Sequence, residues 1–268
     1  MSHEKKPRAS GIVLKKHHGQ YFLRDRSVTF DMLCAVDVKN KSVIEIGCGD
    51  GFLTREILGQ PIERLWIFEI DTQCATKVQN DYPDARMRMF CGDFLTVDLT
   101  ILKPHAPWTV LANLPYHITF PILYKLHEQR DLIECSVLMM QEEVAQKIAK
   151  TRGRGYGYIS LFFQYYYEVQ LLKKIAPSSF YPQPQVFSRL IKMTPKRTVV
   201  PIVQEERFWQ FVKVCFKQPR RTLKNNLSST AFADAPIATE TLALRAQQLS
   251  MDALLALWRD IIVHKLQT

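Results

Sequence analysis

Five short apolar runs recur along the first half of the chain: SVIEI (42–46), LWIFEI (65–70), RMRMF (86–90), WTVLA (108–112) and SVLMM (136–140). They are rich in β-branched and aromatic residues and show little polar alternation, the pattern of strands buried on both faces. Between them lie stretches long enough for helices, among them 51–60, 72–80 and 120–130. Strands separated by helical segments predict an α/β fold with a parallel sheet covered on both sides. Two later runs, FFQYYYEVQLLKKI and FSRLIKM, predict further strands at the edge of that sheet.

Past residue 195 the period changes. EERFWQFVKVCF sets Phe208, Phe211, Val212, Cys215 and Phe216 at helical spacing. MDALLALWRDIIVHKL repeats the pattern through Leu254, Leu257, Trp258, Ile261 and Ile262, with Ser250 as N-cap and Asp252 in the first turn. The chain therefore reads as a basic N-terminal segment (1–26), an α/β domain (27–194) and a small all-helical domain (195–268).

A chain of 268 residues, 47% of them hydrophobic, has enough apolar material for one medium domain and a smaller one. No apolar run approaches the roughly 20 residues of a membrane helix. The opening MSHEKKPRAS lacks the apolar core of a secretory signal. Cysteines 34, 48, 74, 91, 135 and 215 are scattered, with no C-x-x-C pair, and the seven histidines form no spaced ligand set. Reduced thiols in the cytoplasm and no bound metal are the expectation. A net charge of +10 favours a polyanionic partner, either nucleic acid or an anionic membrane surface.

Candidate chemistry begins at VIEIGCGDGF, directly after the first strand. Gly47, Gly49 and Gly51 form G-x-G-x-G, with Phe52 where the dinucleotide fingerprint needs a small residue. Glu45 precedes Gly47. A glycine turn that lets backbone approach closely, next to a carboxylate, suits the zwitterionic methionine of S-adenosylmethionine better than the pyrophosphate of a dinucleotide. Glu69 ends the second strand, where a carboxylate accepts from ribose hydroxyls. Asp93, in CGDF, ends the third, where an acceptor meets an adenine amine. Three such features at the carboxyl ends of successive strands match the place where open α/β sheets bind ligands.

The run VLANLPYHITF (110–120) ends the fourth strand in Asn113, Leu114, Pro115 and Tyr116. Asn and Pro terminate strands on their own account. With an adenosyl site beside it, NLPY resembles the motif of methyltransferases that modify the exocyclic nitrogen of adenine. The whole chain is similar to the small-subunit ribosomal RNA adenine N6,N6-dimethyltransferases. KKHHGQYFL, VIEIGCGDGFLT, FEID, GDF, NLPYHIT, MMQEEVAQKI, YGYIS, SSFYPQPQVFSRL and FKQPRRTLKNNL fall in family order.

The resemblance implies a Rossmann-like methyltransferase domain followed by a helical RNA-binding domain, with the N-terminal segment closing over the cofactor. It implies that Gln20, Tyr21 and Leu23 hold S-adenosylmethionine, and that Gly47, Glu69 and Asp93 contact its methionine, ribose and adenine. By the same token Asn113 and the Leu114 carbonyl receive the target amine, and Tyr116 and Phe180 sandwich the flipped base. The implied reaction is dimethylation of two adjacent adenosines near the 3′ end of small-subunit rRNA during subunit assembly, by a cytoplasmic monomer that takes no metal and no membrane. Several positions depart from the family. Tyr21 stands where Asn is usual, Pro219 where Arg is usual, Gln185 for a lysine and Phe187 for an acid.

Lys213, Lys217, Arg220, Arg221 and Lys224 follow one another at near-helical spacing in a stretch without an acid from Arg207 to Ala233. They are candidates for gripping rRNA phosphates, with Pro219 dividing the stretch into two helices. Lys5, Lys6, Arg8, Lys15, Lys16, Arg24 and Arg26 add charge at the N-terminus. Two rival readings share these features. A macrolide-resistance-type methylase of large-subunit rRNA carries the same catalytic motifs but not FKQPRRTLKNNL. A non-catalytic assembly or transcription factor with this fold has no need of an intact NLPY and Glu69.

Overall fold

The structure is a computed structural model that describes residues 8–9, 12–13 and 20–267. Seven strands form its main sheet: β1 (Ser42–Ile46), β2 (Arg64–Glu69), β3 (Met87–Cys91), β4 (Trp108–Asn113), β5 (Ile133–Gln141), β6 (Tyr167–Ile175) and β7 (Ser188–Pro195). Their order across the sheet is β3-β2-β1-β4-β5-β7-β6. β1 pairs in parallel with β2 and β4, β2 with β3, and β4 with β5, while β7 runs antiparallel to β5. The chain order reverses on either side of β1, so a crevice opens where β1 and β4 end.

The five expected runs are the first five strands. Their apolar continuity has a direct cause: every residue of β1, and β4 from Trp108 to Ala112, is buried. Helices α1 (Arg26–Cys34), α2 (Phe52–Leu58), α3 (Thr72–Asp81), α4 (Thr119–Glu128) and α5 (Glu142–Ala149) alternate with them. Asp25 and Asp71 cap α1 and α3, each accepting the N–H two residues on. Val43, Leu65, Ile67, Leu111, Val137 and Met139 form one apolar cluster with Met32, Ile57 and Val78 from the helices.

Two late elements differ from expectation. FFQYY belongs to a helix, α6 (Tyr158–Tyr166), and the strand begins only at Tyr167. Phe162 and Tyr166, four residues apart, both turn their rings onto Trp209, a contact that helical spacing provides and strand spacing does not. FSRLIKM lies inside the sheet, with Leu190, Ile191 and Met193 buried, so of these two late strands only β6 is an edge, the opposite edge being β3.

The chain forms two compact units. The first joins Met1–Ala145 to Glu168–Pro195, and the second joins Gln146–Tyr167 to Lys196–Thr268. A division at 194/195 therefore assigns 146–167 to the wrong unit, and the Trp209 contacts to α6 are the reason. The second unit also contains α7 (Glu205–Cys215), α8 (Leu223–Leu227), α9 (Thr239–Leu242) and α10 (Met251–Gln267). Phe208, Phe211 and Trp258 are its centre; Phe211 and Trp258 stack at 5.7 Å, and the indole N–H donates to the Val203 carbonyl at 2.8 Å. The Ser250 hydroxyl accepts the Ala253 N–H at 3.2 Å and starts α10. Among the described residues no helix is long and apolar enough to cross a membrane.

Candidate active site

A cleft opens where β1, β2 and β4 end, with an empty volume of about 970 Å³ measured out to its open mouth. Gln20, Tyr21, Leu23, Gly47, Glu69, Asp93, Asn113, Leu114 and Tyr116 all line it. Gly47 has φ +75°, and a Cβ built there meets no atom within 4 Å, so bare backbone faces open space. Its N–H donates to Phe68 of the neighbouring strand at 2.8 Å and fixes the turn. Gly51 serves packing instead: at φ +87° a Cβ would come within 2.6 Å of the Tyr82 ring.

Glu69 is buried against this turn. One carboxylate oxygen accepts the Gly49 N–H at 3.0 Å, the other the Asp71 N–H at 2.8 Å. Burial pushes its carboxyl upward, and the two backbone hydrogen bonds act against that shift. A carboxylate accepts about four hydrogen bonds, so capacity remains beyond these two. Asp93 spends one oxygen on the Leu95 N–H at 2.9 Å, as the cap of a short turn.

Glu45, read from the sequence as the carboxylate beside the glycine turn, lines the cleft as well. It is 1% exposed, in mid-strand. One oxygen accepts the Thr54 hydroxyl at 2.7 Å; the other is buried with no partner. Burial pushes its carboxyl up to about 8, with the Thr54 hydrogen bond pulling down and the Glu69 charge pushing up. An acid in an otherwise apolar strand was the signal available.

The N-terminal segment reaches the cleft at Gln20–Leu23. The Gln20 amide donates to Asp71 at 3.0 Å, and Arg24 pairs with the buried Asp50 carboxylate at 2.7 Å. The expectation that the segment closes over the site applies also to residues 1–7, 10–11 and 14–19, which lie outside the described residues.

At the end of β4 the Asn113 amide donates to the Tyr21 carbonyl at 3.1 Å, which leaves the side-chain oxygen as its acceptor on the cleft. The Leu114 N–H donates to the Met139 carbonyl at 3.0 Å, while no backbone N–H among the described residues reaches the Leu114 carbonyl. The Thr119 hydroxyl donates to the Pro115 carbonyl at 3.1 Å and holds the turn from the far side. The Tyr116 hydroxyl bonds to Ser188 at 2.7 Å.

Phe180 does not share this placement. It is 2% exposed, paired in register with Leu23 and packed in the apolar cluster, so it presents no face on which a base could stack. The ring that does lie on Tyr116 is Tyr21, at 5.3 Å and 26°.

The five candidate phosphate contacts are all exposed, and no ion pair engages them among the described residues. Lys213 lies on α7 and Lys224 on α8; Lys217, Arg220 and Arg221 occupy the connection between them. Buried Asn226 shapes that connection: its oxygen accepts the Gln218 N–H at 3.0 Å, and its amide donates to the Gln218 carbonyl at 3.1 Å. Arg24 and Arg26 are engaged by Asp50 and Glu56, so they add no unpaired charge. Lys5, Lys6, Lys15, Lys16 and the Arg8 side chain lie outside the described residues. Among the described residues no group of three or more His, Cys, Asp or Glu could hold a metal ion.

The chain matches a known family, two of its relatives and two solved structures. Residues 12–256 match the family described as ribosomal RNA adenine dimethylase. A protein named ribosomal RNA small subunit methyltransferase A from Chlorobium phaeobacteroides is 39% identical over 252 residues, 93% of this chain and 92% of that one. Its namesake from Mesomycoplasma hyopneumoniae is 37% identical over 216 residues, covering 80% and 82%. Among solved structures, a dimethyladenosine transferase from Plasmodium falciparum superposes with a TM-score of 0.74 at 22% identity, over 88% of this chain and 95% of that one. The 23S rRNA methyltransferase ErmE superposes at 0.69 and 21%, over 90% and 99%.

Proposed function

The chain belongs to the ribosomal RNA adenine dimethylase family, and from that premise we propose that it dimethylates N6 of two adjacent adenosines near the 3′ end of small-subunit rRNA, in the cytoplasm and on an assembling subunit. The observation that carries this reading is the Asn113 amide, tied by its N–H to the Tyr21 carbonyl with its oxygen left for a donor in the cleft.

An adenine amine is a weak nucleophile because its lone pair is delocalised into the ring. Asn113 and the Leu114 carbonyl accept its two N–H groups. That draws the nitrogen toward tetrahedral geometry and concentrates the lone pair on the side facing the methyl donor. Pro115 stiffens the turn, and the Leu114 N–H bond to Met139 keeps the carbonyl aimed. No strongly basic side chain is needed, since the product ammonium is acidic enough to lose its proton to water. The acceleration rests on positioning in a site shielded from solvent.

The cleft fits S-adenosylmethionine: Gly47 leaves room for a ligand against its backbone, Glu69 and Asp93 hold spare acceptors, and Glu45 carries an unpartnered oxygen. When bound, that cofactor supplies a methyl group on a sulfonium. Gln20, Tyr21 and Leu23 flank it from the N-terminal side. Tyr116 is the base platform, anchored by Ser188, with one face of its ring covered by Tyr21. A base leaving its stack regains stacking on that ring.

The test is transfer of labelled methyl groups from S-adenosylmethionine to undermethylated ribosomal subunits, with the product nucleosides identified. Dimethyladenosine in small-subunit rRNA is the expected product. Label in large-subunit rRNA, or none at all, would overturn the reading.

A further inference from the structure

The net charge of +10 is divided unequally between the two units. The first holds 21 Lys and Arg against 20 Asp and Glu, whereas the second holds 15 against 6. Among the described residues nine ion pairs neutralise cations within the first unit and none lies within the second. Self-repulsion of this kind opposes compaction, and a polyanion would relieve it. The stretch around Arg220 supplies only part of the excess. Four further cations, Lys147, Lys150, Arg152 and Arg154, lie between Gln146 and Tyr167, a segment with no acid at all.

The sequence there is K-T-R-G-R-G-Y-G, from Lys150 to Gly157. Every residue from Lys150 to Gly155 is exposed. Gly153 and Gly155 adopt φ +77° and +93°, and a Cβ at either would meet no atom within 4 Å. The loop therefore presents bare backbone and two guanidinium groups to solvent. Its foot is fixed. The Tyr156 N–H donates to the Gly153 carbonyl at 3.1 Å, and the Tyr156 ring is buried edge-on to Phe216 at 6.0 Å. Lys213 lies 4.8 Å over the neighbouring Tyr158 ring. The same two tyrosines thus anchor the loop to the end of α7, where the 213–224 cations begin.

Resting on the rRNA reading above, we propose that the Lys150–Gly155 loop is a second phosphate-binding element, with Arg152 and Arg154 gripping rRNA beside the 213–224 stretch. Guanidinium groups match phosphate oxygens two at a time. Arg-Gly segments are used in this way elsewhere, because glycine lets the backbone follow a nucleic-acid strand closely.

The experiment measures affinity for undermethylated small subunits across a salt series. It compares wild type with Arg152→Ala/Arg154→Ala, Arg220→Ala/Arg221→Ala and all four changes together. Each lost phosphate contact lowers the salt slope by roughly 0.7–0.9, so each double variant should lose about 1.4–1.8 and the quadruple variant about twice that. Arg152→Lys/Arg154→Lys keeps both charges and should keep the slope, and S-adenosylmethionine affinity should be the same in all variants. A wild-type slope in Arg152→Ala/Arg154→Ala would overturn the proposal, as would a lost slope in the lysine variant. Wild-type protein that binds these subunits but transfers no methyl to them would instead overturn the functional reading.

Discussion

Replacing Glu45 by Gln should stabilise the protein, and more so as pH rises. Glu45 sits in the middle of β1, 1% exposed, with one oxygen on Thr54 and the other unpartnered. An unfolded glutamate ionises near 4.5, whereas the folded chain holds this proton up to about 8. Between those values the folded state binds the extra proton, so stability falls as pH rises through the window. Below it the penalty is absent, and above it the penalty is complete. At about 1.4 kcal/mol per pH unit the full penalty is on the order of 3–5 kcal/mol. Gln keeps an oxygen for Thr54 but has nothing to ionise. Urea unfolding of both proteins without cofactor, at pH 5, 7 and 9, measures the gap directly. Every other titrating group is common to the two proteins and largely cancels in the difference. The variant should exceed wild type by less than about 1 kcal/mol at pH 5 and by a few kcal/mol at pH 9. A gap that stays constant with pH would refute the reasoning.

Three further outcomes are expected. Glu69→Ala should weaken S-adenosylmethionine binding by about 1.5–3 kcal/mol, the worth of a hydrogen bond to a charged group; equal affinities by calorimetry would remove Glu69 from the site. Asn113→Ala should lower the single-turnover methylation rate at least about tenfold, ~1.4 kcal/mol, with RNA affinity nearly unchanged; near-normal turnover would refute the amine clamp. Trp258→Ala should cost about 3–5 kcal/mol, because it empties the centre of the second unit; a change in denaturation midpoint equivalent to less than about 1 kcal/mol would contradict that packing.

The parallel strands and the cofactor turn were legible because both are local. A strand buried on two faces writes its burial into consecutive residues, as β1 does before Gly47 and β2 does up to Glu69, whereas Asp93 follows β3, an edge strand that is only partly buried. Interactions between distant residues left weaker marks. Phe180 is aromatic whether it faces a base or a core, and only its pairing with Leu23 shows which. The stack of Tyr21 on Tyr116 joins residues 95 positions apart. FFQYY suits a strand by propensity and a helix by spacing, and Trp209, more than forty residues on, decides between them. Glu45 was visible as an acid in an apolar run, but its missing partner is a property of three dimensions.

The path of the chain through its two units limits how the protein can be dissected. It passes from the first unit to the second at 146, returns at 168 and leaves again after 195. No single cut frees either unit. A product ending at residue 195 would retain α6 but lose α7, and with it the indole of Trp209 that meets Tyr158, Phe162, Tyr165 and Tyr166. Four aromatic rings would lose their shared neighbour in a fragment designed to hold only the catalytic half, making it prone to aggregate. The same path orders synthesis on the ribosome: α6 emerges well before α7, and β6 before β7, the strand that joins it to the sheet. Both pieces must wait, unpaired, for partners still to be translated.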